Sequence, residues 1–285
     1  MGRVFTWREL RDNRVPRAED FRDVVQTLRR ELTADPDVIG AILCGSVGGK
    51  TFGPRSDVDC MILYKQSERG GYPLESLSRV ARYATTRNVP VEFIPVDAAV
   101  SASGITTFDA PFGLHLKKMA DKGGCIKDNP LLICRIDMER IAADILQYFA
   151  VKFEKLSKYM IEINGGEVSE EKTCHILQKA LQAPVHIARR TLLWLGHDLE
   201  NDSRASVLSE FEDRVGGRLW AMIRDTMKPL ENEYNDNVKA RIKDKNWAAY
   251  REMIVNLKKI ALPTAYHFVR ECALLISSRP FVPIR

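Results

Sequence analysis

The stretch GSVGGKTFGPRSDVDCMILY, residues 45–64, constrains the fold more than any other part of the chain. It follows an apolar run, VIGAILC (residues 38–44), that reads as a buried strand, and it ends in a second run of strand character. Between the two, the chain breaks into glycines and then opens its next strand with two acids. Aspartate is a poor strand former and costly to bury, so Asp57 and Asp59 need a compensating partner. Side chains two apart on a strand share a face, so the two carboxylates project together while Val58 and Cys60 face the other way.

The surrounding periodicities place this loop in a small mixed unit. Phe21, Val24, Val25, Leu28 and Leu32 recur at helical spacing, and Leu74, Leu77, Val80, Ala81 and Ala84 mark another helix. VPVEFIPV (residues 89–96) reads as a third strand. From Asp137 onward the pattern is helical only. MERIAADILQYFAVKFEKLSKYMIEI (residues 138–163) holds neither glycine nor proline and stops at Gly165 and Gly166. Further helices are predicted over residues 174–195, 207–227 and 247–277, with Pro184 and Pro263 as kinks or breaks. The boundary falls in DKGGCIKDNP (residues 121–130). The expected fold is α+β: an N-terminal mixed sheet with flanking helices over residues 1–128, then an all-α domain over residues 129–285.

Glu92 is the lone acid of the third strand. If that strand lies beside the one carrying Asp57 and Asp59, three carboxylates converge and repel unless cations fill the site. All-oxygen ligation suits Mg2+, which combines a few carboxylates with substrate phosphates, and paired magnesium ions are a recognised device for nucleotidyl transfer. The loop supplies the complementary part. After Gly45 and Ser46 a short helix can begin, its N–H groups and the Ser46 hydroxyl meeting a phosphate, and Gly48 and Gly49 allow close approach.

Composition fits this reading. The chain has 285 residues, 45% apolar and 28% charged, enough for one large or two modest cores, and its formal charge of +5 leans toward anionic partners such as nucleotides or RNA. The basic residues are dispersed. Their densest cluster, KARIKDKNW (residues 239–247), is broken by Asp244 and reads as a solvated face. Cys44, Cys60, Cys125, Cys134, Cys174 and Cys272 form no C-x-x-C pair, and the charged N-terminus has no apolar run of the signal-peptide kind. The expectation is a cytoplasmic protein. His175, His186 and His197 recur every eleven residues. At 1.5 Å per helical residue, neighbours stand about 16 Å apart, too far to share a metal.

The G-S loop, the D-V-D pair and the later strand-borne acid together resemble the nucleotidyltransferase superfamily that includes the beta-type DNA polymerases. The loop GSVGGKTFGPRSDVD is most similar to that of the kanamycin-type nucleotidyltransferases, including the T-x-G-P-x-S-D segment. Such enzymes carry, on a helix after the sheet, a glutamate general base and, four residues on, a lysine for the nucleotide phosphates. EKLSK offers Glu154 and Lys158 at that spacing, and RASVLSEF (residues 204–211) is also similar. Where the family has an arginine after the loop's second glycine, this chain has Gly49, with Lys50 next to it.

The resemblance implies Asp57, Asp59 and Glu92 on Mg2+, and Gly45, Ser46, Lys50 and Lys158 on the nucleotide. AMP from ATP would pass to a hydroxyl of a small acceptor of aminoglycoside type, with a homodimer as the assembly. SEFEDR (residues 209–214) and LENEYND (residues 230–236) are candidate acids for a cationic acceptor, or else solvated surface. Two alternatives stay open: transfer to a macromolecule, an RNA 3′ end or a protein hydroxyl, and a non-catalytic nucleotide-binding module. On the residues alone, Glu154 and Lys158 lie opposite the helix's apolar stripe and read as an ordinary surface ion pair.

Overall fold

The computed structural model describes all residues except Met1, Gly2, Thr51, residues 66–73, Thr106, Thr107, Asp202, Lys245 and Arg285; the side chains of Leu74 and residues 237–244 are also outside the description. Thr51 of the loop and most of the basic cluster at 239–247 therefore lie outside the described residues. In chain order the elements are α1 (Trp7–Arg11), α2 (Ala18–Ala34), β1 (Val38–Cys44), α3 (Gly45–Gly48), β2 (Val58–Tyr64), α4 (Leu74–Thr86), β3 (Val91–Asp97), α5 (Ala98–Ala102) and α6 (Ala110–Asp121). There follow α7 (Ile141–Gly165), α8 (Glu170–Trp194), α9 (Arg204–Arg214), α10 (Gly217–Ala221), a π turn (Met222–Met227), α11 (Lys228–Asp244) and α12 (Trp247–Ser277). The architecture is mixed α+β, with a small sheet and a C-terminal helical region. Among the described residues, no helix is long and apolar enough to cross a membrane.

The chain divides into two compact units, Pro16–Ile141 and Met1–Val15 with Ala142–Arg285. In the first, β1 pairs antiparallel with β2, and β2 pairs parallel with β3, giving the order β1-β2-β3. The loop after β1 returns the chain antiparallel, whereas the crossover through α4 brings β3 in parallel. Both faces of the sheet are covered. Val58, Cys60 and Ile62 join Phe21, Val24 and Leu28 of α2 and Leu77 and Val80 of α4 on one face. Met61, Leu63, Ile42 and Cys44 meet Leu116 and Met119 of α6 on the other.

The segment expected to be the domain boundary is instead part of this sheet unit. The Leu43 N–H donates to the Gly124 carbonyl at 2.9 Å, and the Ile126 N–H donates to the Ala41 carbonyl at 2.8 Å. Residues 124–128 thus cover the free edge of β1, which would otherwise offer unpaired backbone to another chain. The approach depends on small residues, because a Cβ at Gly40 would stand 2.3 Å from the Asp128 carbonyl oxygen. The unit ends at Ile141 rather than at residue 128.

In the second unit α8 packs along α12, with Ile187, Ala188, Leu262, Ala265 and Phe268 buried. Both helices run through their prolines, Pro184 and Pro263, so neither proline ends a helix. The single helix predicted over residues 207–227 is divided, since Gly216 adopts φ +53° between α9 and α10.

Residues 3–15 belong here and not with the sheet. The Phe5 N–H donates to the Tyr234 hydroxyl at 2.8 Å, the Tyr250 hydroxyl lies between the Phe5 carbonyl and Glu170, and Trp7 packs on Trp247 and Tyr250 at centroid distances of 5.3 and 5.7 Å. Arg204 forks onto the Glu231 carboxylate, which is buried. One acid of the 230–236 stretch is therefore a structural counter-ion and not solvated surface.

Candidate active site

The loop between β1 and β2 is fastened at Val47, Phe52 and a turn over residues 53–56. Val47 of α3 is buried, and Phe52 lies on Phe21 at a centroid distance of 5.4 Å. A turn at Gly53–Ser56 closes twice: the Ser56 N–H donates to the Gly53 carbonyl at 2.9 Å, and the Gly53 N–H donates to the Ser56 hydroxyl at 3.0 Å. Proline at the second position pre-sets such a turn, and its exit delivers Asp57 to the mouth of β2.

Asp59 is the centre of the arrangement. It stands opposite Cys44 in the antiparallel ladder and beside Glu92 in the parallel one. Residues paired in register point to the same face, so Asp59 and Glu92 share the α6 face at the end of the sheet where the loop leaves β1. Val58 and Cys60 are buried on the opposite face, as the alternation required. Asp57 and Asp59 are half-buried and Glu92 is exposed. Burial raises the Cys44 thiol pKa, and the charges of Asp59 and, more weakly, Glu92 add to the rise, so both carboxylates act on the same end of β1.

The Asp59 carboxylate rests against Gly45. A Cβ on Gly45 would stand 2.3 Å from Asp59 Oδ2, and Gly45 adopts φ +63°, a conformation that favours glycine. Gly48 is required for a different reason than phosphate approach, since its Cβ would meet the Leu43 carbonyl oxygen at 2.5 Å. Just after α3, Lys50 is exposed and left-handed, at φ +58°.

Not every N–H of α3 faces outward, as the phosphate-nest reading had it. The Gly45 N–H donates to His115 Nε2 on α6 at 3.3 Å. Sequence reasoning passed over His115. The signal was there: at i±4 spacing it shares a stripe with Pro111 and Met119, both buried, so it is a polar ring on an apolar face.

The acids suit a hard divalent cation in chemistry, since all the donors are oxygen and magnesium retains waters beside one or two carboxylates. Their register supplies two neighbouring carboxylates, and Asp57 lies two residues from Asp59. Among the described residues, no three His, Cys, Asp or Glu side chains are gathered as a group that could hold a metal.

In the helical unit, Glu154 and Lys158 form an i,i+4 ion pair on α7 at 2.5 Å, with side chains 62% and 66% exposed. The hydrogen bond from Lys158 holds the Glu154 carboxyl below its usual range. A further cationic group lies on α7 and α8, where the buried Arg190 covers the Tyr148 ring at 3.3 Å and Lys152 approaches the same ring at 5.1 Å. An open surface depression is lined by Glu200, Asn201, Ser206, Ser209 and Glu210 among others, and Glu210 also pairs with Arg214 at 2.9 Å. His175 packs edge-on to Tyr159, and the cysteines are all free.

No family model matches the chain, and no curated protein matches it.

Proposed function

We propose that the chain is a magnesium-dependent nucleotidyltransferase of the beta-type superfamily, moving a nucleoside monophosphate, AMP from ATP, onto a hydroxyl of a small acceptor. The observation that carries this reading is the register pairing of Asp59 with Glu92 on one sheet face, with Gly45 of the loop against the Asp59 carboxylate. Neighbouring carboxylates at the end of two strands are the oxygen donors that a magnesium site with few protein ligands requires.

Asp57, Asp59 and Glu92 would hold the magnesium, which when bound neutralises charge on the phosphates and polarises the phosphorus being attacked. Ser46 and the backbone at the start of α3 would orient the terminal phosphates, with Lys50 beside them as a mobile cation. Glu154 would take the proton from the acceptor hydroxyl and Lys158 would neutralise the departing pyrophosphate. The ion pair between these two gives them an order of action. While Lys158 is bonded to Glu154 the carboxylate is a weak base, and a triphosphate that draws Lys158 away restores its proton affinity. For the acceptor, the acids Glu200 and Glu210 on one open surface depression are the feature that favours a cationic, hydroxyl-bearing molecule.

The test is pyrophosphate release from ATP and magnesium, with aminoglycosides, total tRNA or no acceptor, and with Asp57→Asn as the blank. Release that needs an aminoglycoside supports the reading in full. Release only with tRNA moves the acceptor to RNA, and binding of ATP without release in any arm favours a nucleotide-binding module.

A further inference from the structure

We propose that His115 is a positioning residue for the acidic site: by accepting the Gly45 N–H on Nε2, it holds the left-handed turn against which the Asp59 carboxylate rests. The consequence for transfer depends on the nucleotidyltransferase reading; the turn itself does not.

Gly45 has two demands that conflict. It must be glycine, because any Cβ would stand 2.3 Å from Asp59 Oδ2 and its φ is +63°. Glycine, however, is the residue least able to hold its own conformation, since it loses the most freedom when fixed. The restraint must come from outside. On one side Gly45 is continuous with Cys44, which is buried within the sheet. Across from it the Gly45 N–H meets the His115 ring at 3.3 Å. For Nε2 to accept, the neutral ring carries its proton on Nδ1. His115 is held in turn by the buried stripe of α6, and Phe112 lies against its ring at a centroid distance of 6.1 Å. The chain of restraint runs from the packed helix through the imidazole to Gly45, and from Gly45 to Asp59. His115 is thus placed to act through another residue and not on a substrate.

The experiment uses the full chain with His115→Gln and His115→Leu. The glutamine amide oxygen reaches the place of Nε2 and can accept the same N–H; leucine fills the stripe and offers no acceptor. His115→Asn, whose amide is too short to reach, replaces the leucine variant if that one fails to fold. Three quantities are read: hydrogen exchange of the Gly45 amide, Mn2+ affinity measured with the metal alone, and pyrophosphate release. The glutamine variant should keep Mn2+ affinity within about threefold of the parent, and the acceptor-free variant should lose about tenfold or more, as is usual when a residue that orients a metal ligand is removed. Gly45 exchange should quicken only in the acceptor-free variant. Equal Mn2+ affinity and equal Gly45 protection in all forms overturns the proposal, as does a glutamine variant as impaired as the leucine one. If the parent binds no Mn2+, the transferase reading fails by itself, and Gly45 exchange then decides: quickening in leucine but not glutamine upholds the role of His115, and no difference removes it.

Discussion

Two pairs of charged residues in this chain have equally simple spacings, and the structure treats them differently. Asp57 and Asp59 lie two apart at the start of a strand, and Glu154 and Lys158 lie four apart on a helix. Asp59 belongs to a sheet packed on both faces, so its direction is fixed by Val58 and Cys60 on one side and Met61 and Leu63 on the other, and Asp57 leads directly into that strand. The second pair stands on a face of α7 with both side chains mostly exposed, and its geometry is fixed only by the pair itself. Spacing selects which side chains can meet. Packing decides whether they must, and a site needs the second condition.

The largest effect should come from the strand acids. Asp59→Asn removes charge from a carboxylate paired with Glu92, and a metal's contribution of several kcal/mol to charge stabilisation corresponds to a loss of about 10³-fold or more in transfer. Unfolding by urea should be nearly unchanged, or displaced toward greater stability through relief of carboxylate repulsion. Substantial unfolding would show that the acid is structural and would erase the contrast between the two pairs.

Glu154→Gln comes next. A general base contributes about 10²–10⁴-fold to the rate, so a loss of that size with an unchanged melting temperature places Glu154 in the chemistry. Unaltered turnover would sharpen the comparison, leaving α7 with a surface pair only.

A third change probes the restraint on the strand end. Gly45→Ala forces a side chain into a left-handed turn against Asp59, which should cost about 2 kcal/mol of unfolding free energy in addition to activity. A neutral outcome in both would mean that Asp59 moves freely, and the strand pair would then be no better fixed than the helix pair.

What could be read in the sequence follows the same division. The three strands and the face that Asp59 takes were legible because apolar runs and strict alternation report burial on a sheet. The pairing of Asp59 with Glu92 was only conditional, because register depends on how the α4 crossover returns the chain, and no single strand records that. The edge cover at residues 124–128 lies in the stretch expected to hold the domain boundary. Its bonds run through the backbone of Gly124 and Ile126, and Gly, Lys and Asp in this stretch give the composition of a loop. The N-terminal segment was placed in the wrong unit for a related reason: Phe5 and Trp7 find their partners at Tyr234, Glu170 and Trp247, contacts too distant in sequence for any periodicity to show. Of the kinks or breaks expected at Pro184 and Pro263, breaks are absent, since α8 and α12 continue through them. His115 left a visible trace, a ring on an apolar stripe, but its partner is a backbone N–H, and the sequence does not reveal backbone partners.

The smallest effect is a titration, and it separates a waiting base from an ornament. In Lys158→Met the Glu154 carboxyl loses the hydrogen bond that holds it low, so its pKa should rise toward the ordinary glutamate value when followed by carbon-detected NMR. The sign follows from the lowered folded pKa: the pair's contribution is present above the unfolded carboxylate pKa and fades as pH falls through the lowered one. Both groups are exposed, so salt should shrink the shift and the melting temperature should stay almost constant. Adding ATP with magnesium to the unmodified protein gives the decisive arm. A triphosphate that takes Lys158 away should raise the Glu154 pKa as the methionine substitution does, and a carboxyl that ignores the nucleotide is not the base of this reaction.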